Sequence, residues 1–77
     1  MTLQDIAGNG PVWDLGLHEI LRETNATWRD DIRDTYHMDA NGIMRLETVY
    51  QSGKQLYAIR YVSDREATVE VLGSTDR

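Results

Sequence analysis

The chain has 77 residues, no cysteine, no phenylalanine, a single proline and a net charge of −5. Without cysteine, disulfide staples and thiolate metal sites are excluded, and a reducing, cytoplasmic setting is expected. One domain of this length buries only about 60% of the surface its unfolded chain exposes, so an oligomer or a partner is a natural source of further stability.

Residues 1–12 show neither a basic leader nor an apolar stretch, and no run in the chain approaches the ~20 residues of a membrane span, so a soluble, unexported protein is expected. Thr2-Leu3-Gln4-Asp5 has the form of a capping box and predicts one helical turn, ended by Gly8-Asn9-Gly10-Pro11. Asp14 is a candidate N-cap. Leu17, Ile20 and Leu21 then share one helical face, with Trp13 a turn earlier, which predicts a helix over 14–23.

Asn25 and Thr27 break that pattern, because both prefer caps to helix interiors. Asn25-Ala26-Thr27 has the form of a glycosylation sequon, which carries no chemistry without an export route. Beyond it Trp28, Ile32 and Tyr36 recur at i, i+4 and i+8, with Thr27 or Asn25 as the cap. This spacing predicts a second helix over 27–37, or one kinked helix over 14–37, and Gly42 then turns the chain.

From Ile43 the period becomes two, and residues 43–72 read as a three-stranded antiparallel meander followed by a frayed tail, 73–77. With Ser52-Gly53 as the first hairpin loop, Tyr57 faces Thr48, Ile59 faces Leu46 and Tyr61 faces Met44. A three-residue second loop, Ser63 to Arg65, pairs Tyr61 with Ala67, Ile59 with Val69 and Tyr57 with Val71. An even-numbered loop would bury Glu70 opposite Ile59 at a cost of several kcal/mol, so the odd loop is preferred. The expected fold is α+β: two short N-terminal helices packed on one face of the meander, with Met44, Leu46, Tyr57, Ile59, Tyr61, Val69 and Val71 beneath Leu17, Ile20, Leu21, Trp28, Ile32 and Tyr36.

Three constellations bear on function. On a helix Asp30, Asp34 and His37 fall on one face and offer two oxygens and a nitrogen to a divalent metal, which supports a small metal-dependent enzyme or metal sensor as the alternative reading. That face opposes Trp28, Ile32 and Tyr36, so a solvated acidic surface accounts for the same residues. Asp39-Ala40-Asn41-Gly42 resembles the start of an EF-hand loop, but the twelfth position is Tyr50 rather than glutamate, and a turn is the better account. No phosphate-binding glycine loop or nucleophile elbow occurs.

The second constellation is the outer sheet face. In the register above, Val49 pairs with Leu56 and Leu56 with Leu72, an apolar centre with Arg45 and Arg60 at its rim. Arg45 opposite Arg60 is unfavourable unless Glu47, Glu70 or a partner carboxylate intervenes. Three kinds of cover are open: the chain's own N-terminal segment through Leu3, Ile6 and Val12 or Trp13, a second copy in a homodimer, or a foreign partner.

The third is charge. Eight acids and three bases precede Arg45, and five of each follow Met44, so all the excess negative charge lies in the first half. Asp14, Glu19, Glu23, Asp30, Asp31 and Asp34 disfavour contact with nucleic acid or an anionic membrane there and favour a basic partner, including a protein's nucleic-acid-binding site. Direct nucleic-acid binding is left to Arg45, Arg60 and Arg65 in the neutral half. The expectation is a small, acidic, non-enzymatic protein-binding module without cofactor. It would be an inhibitor of the phage or mobile-element kind, immunity- or antitoxin-like, with Val49, Leu56, Leu72, Arg45, Arg60, Asp30, Asp31 and Asp34 as candidate partner-binding residues.

Overall fold

The computed structural model describes residues 2–32 and 35–75. Thr2 opens α1, Leu3–Ile6, with a complete capping box: its own N–H donates to Asp5 Oδ2 at 2.9 Å and the Asp5 N–H donates to Thr2 Oγ1 at 3.3 Å. The strand β1, Val12–Trp13, leads directly into α2, Asp14–Glu23. Asn25 ends α2 in the left-handed region (φ 53°), its N–H donating to Arg22 O and the Ala26 N–H to Leu21 O, the paired bonds of a Schellman turn.

The second helix expected over 27–37 does not form, and neither does one kinked helix. The chain instead makes β2, Thr27–Trp28, and β3, Tyr36–Met38, which lie along the same edge of β4, Met44–Ser52. Trp28 pairs with Tyr50 and Tyr36 with Leu46, so eight positions of this edge span only four of β4. Bonding to β4 continues to Arg29, whose N–H donates to Val49 O, and resumes at Thr35, whose carbonyl accepts from the Glu47 N–H.

The strands β5, Gln55–Tyr61, and β6, Glu66–Ser74, complete one antiparallel sheet in the order β1-β6-β5-β4-β2, with β3 also on β4. The expected architecture of two helices on a three-stranded meander is therefore replaced, among the described residues, by a six-stranded sheet bearing two helices, of which α1 is a single turn. The β4–β5 turn is Gly53-Lys54, one residue later than expected, with Gly53 at φ 62°. Partner numbers shift by two, and an even shift keeps every side chain on its expected face. Thr48 faces Ile59, and Tyr50 faces Tyr57. The β5–β6 pairing is the expected one from Tyr57 to Tyr61, with a bulge that moves Leu56 from Leu72 to Gly73.

The core lies on one face of the sheet: Leu3, Ile6, Leu17, Ile20 and Leu21 from the helices against Tyr57, Ile59, Ala67 and Val69. The N-terminal segment thus packs beside α2 and does not cover the outer face. Trp13, expected a turn before Leu17 on the inner side, is exposed. On the outer face Val49, Ala58 and Glu47 are nonetheless buried. Both helices lie opposite; among the described residues, Arg29 reaches Gln51 and Arg60 bridges Glu47 on this face. No helix among the described residues is long and apolar enough to cross a membrane.

Candidate functional site

A helix about 10 Å across covers about two strands at a spacing of ~4.8 Å. In consequence α2 shelters β5 and β6 and leaves the far part of the same sheet face bare. Trp28 of β2, Tyr36 and Met38 of β3 and Met44 and Leu46 of β4 sit there, each between 37 and 63% exposed. The pairings Trp28–Tyr50, Tyr36–Leu46 and Met38–Met44 set all of them on the side of Tyr50 and Thr48, the side α2 occupies further along. Five large apolar side chains from three strands therefore make one continuous uncovered surface.

Asp14 stands where α2 begins, at the border of this surface. The Tyr61 hydroxyl donates to Asp14 Oδ1 at 2.9 Å, and His18 Nε2 lies 3.5 Å from the same oxygen, one helical turn on. Burial, then this hydrogen bond, holds the Tyr61 phenol well above its ordinary range. Burial and then the charge of Asp14 raise the Tyr50 phenol as well, so the carboxylate acts on both tyrosines.

The residues singled out from the sequence do not assemble into one site. Val49 is 2% exposed and faces Ala58 rather than Leu56, while Leu56 and Leu72 are half-buried and out of register with each other. Arg45 is opposite His37, not Arg60, and its guanidinium lies 3.2 Å from Asp39 and 3.5 Å from Asp64. Arg60 faces Glu47 and bridges it at 2.8 Å and Glu70 at 3.0 Å. The Glu47 hydrogen bond, outweighing burial, which acts the other way, raises the already high affinity of that guanidinium for its proton. The outer face is thus an internally neutralised charge lattice over a buried apolar strip.

Asp30 and Asp31 are exposed beyond β2, where Asp31 forms a bidentate pair with Arg29 at 2.9 Å. Asp34 lies outside the described residues. His37 belongs to β3, so the helical spacing that would align Asp30, Asp34 and His37 is absent, and no group of three metal-ligating side chains occurs among the described residues. The Nε2 of His37 is buried without a hydrogen-bond partner among them. Asp39 serves the turn: the Asn41 and Ile43 N–H groups each donate to its Oδ1 at 2.9 Å, an Asx turn in place of a calcium loop.

Sequence reasoning placed Trp28, Tyr36, Met44 and Leu46 inside and gave Met38 no role. The signal was a mismatch of area: one ten-residue helix cannot roof every apolar position expected beneath it. Comparison with known protein families, curated proteins and solved structures finds no significant match.

Proposed function

We propose that this chain is a small non-enzymatic binding protein that acts by occupying a surface of another protein, as an inhibitor does, through the uncovered part of its sheet. One observation carries the reading: Trp28, Tyr36, Met38, Met44 and Leu46 are exposed together on a single face. Tryptophan, tyrosine and methionine are enriched at the centres of protein interfaces, and a bare patch of this kind is uncommon on a chain that works alone. The acidic balance of the first half favours a basic partner and opposes self-association through the same face.

The test compares wild type with Met44→Asp in affinity capture from the cells that make the protein, with sedimentation to read the oligomeric state. A partner held by wild type and lost by the folded variant supports the reading. The same partner set from both proteins overturns it, and a wild-type dimer that dissociates in the variant assigns the face to self-association instead.

A further inference from the structure

Two of the three methionines in the chain, Met38 and Met44, stand directly opposite each other in the β3–β4 hairpin. The Asp39 N–H donates to Ile43 O and the Glu47 N–H to Thr35 O. Antiparallel bonds alternate, so Met38 and Met44 fall on a pair without main-chain hydrogen bonds between its members, where facing side chains come closest. With Cβ atoms about 4.5–5.5 Å apart, the two thioethers share one patch of surface. Met38 is 63% and Met44 57% exposed, and neither belongs to the core. The sulfurs therefore lie open to solvent on the face that the proposed function gives to a partner.

An exposed thioether reacts with a peroxide. The sulfur lone pair attacks one oxygen of hydrogen peroxide and the O–O bond breaks. Sulfur keeps that oxygen as a sulfoxide, and the other leaves with both protons as water, so the thioether loses the two electrons that the peroxide gains. The chain has no cysteine to compete for the oxidant, and hydrogen peroxide is uncharged, so the net charge of −5 does not repel it. The product puts a strong dipole where a soft apolar atom stood, and a partner that packed against the thioethers has to bury it.

Resting on the function proposed above, we infer that Met38 and Met44 form a paired oxidation site through which a peroxide turns the apolar face polar and releases the partner protein. Enzymatic reduction of the sulfoxides restores the thioethers, which makes the site a reversible switch.

Wild type and the double variant Met38→Leu/Met44→Leu are treated with hydrogen peroxide and mapped by peptide mass spectrometry. Each is then tested for partner capture and for binding of Nile red, a neutral dye that reports apolar surface without any partner. In wild type both methionines should oxidise as fast as those of an unfolded peptide, with the fold intact. Partner binding should weaken about tenfold or more, as burial of an unpaired dipole requires, and Nile red emission should fall. Methionine sulfoxide reductases should restore both signals, a control that needs no variant. The leucine variant, apolar but without sulfur, should keep both through the treatment. Slow oxidation of Met38 and Met44, unchanged dye and partner binding after full oxidation, no recovery on reduction, or an equal loss in the leucine variant overturns the switch. A partner lost in Met44→Asp yet held by the oxidised protein overturns the switch alone and leaves the binding face standing; a partner held by both overturns both.

Discussion

Glu47 and Arg60 face each other from neighbouring strands, Arg60 Nε donating to Glu47 Oε2 at 2.8 Å, with Glu47 only 5% exposed. The pair is asymmetric, for the arginine reaches solvent and also holds Glu70, whereas the glutamate is enclosed. Arg60→Met should therefore cost about 2–3 kcal/mol, because it leaves a buried carboxylate without its guanidinium. The double variant Glu47→Leu/Arg60→Met should recover much of that loss. Urea denaturation of the single and double variants measures both.

Leu3 belongs to a single helical turn near the chain start, yet it is 1% exposed and packs with Leu17 and Ile59. Leu3→Ala should destabilise by about 2–4 kcal/mol, the cost of a core cavity rather than of a fraying end. Thermal unfolding would show it. A variant that melts like wild type would mean that α1 is not docked.

The carboxyl of Asp39 is held below its ordinary range chiefly by the Ile43 N–H, with the Asn41 N–H and Arg45 adding to it. A depressed folded-state pKa gives stability that is full above the unfolded value, about 3.9, and is lost as pH falls through the folded value. The β3–β4 turn should accordingly loosen below about pH 4. Asp39→Asn should remove part of that acid sensitivity, read as faster exchange of the Ile43 and Asn41 amides at neutral pH and a flatter response to acid.

Asn25 holds φ at 53° to turn the chain from α2 into β2. Asn25→Gly should be tolerated or mildly stabilising, whereas Asn25→Val should cost about 1–2 kcal/mol for forcing a β-branched residue into the left-handed region. Chemical denaturation of the two variants separates them.

Much of the fold is legible along the chain, and the misreading has a definite cause. The capping box at Thr2, the helix from Asp14 and the β5–β6 register follow from local chemistry and from keeping Glu70 out of the core. Trp28, Ile32 and Tyr36 are separated by four, a spacing that is nearly a helical turn and also two full strand periods, so periodicity alone cannot choose between them. Asn25 and Thr27 were informative but read in the wrong direction: Asn25 closes the helix behind it instead of opening one ahead. The exposed apolar face was hidden by the same step, since Trp28 and Tyr36 on a helix would have roofed Met44 and Leu46 rather than joined them in solvent.

The break between β2 and β3 bears on colloidal behaviour. An unbroken edge strand presenting tryptophan, tyrosine and methionine would be a template on which further copies could add strand by strand, the route to fibres. Two pieces of two and three residues, set apart along one edge of β4, offer no such length of ladder. Shortening the sequence between Trp28 and Tyr36 so that the two join in one continuous strand should leave the hydrophobic face intact and make the protein polymerise.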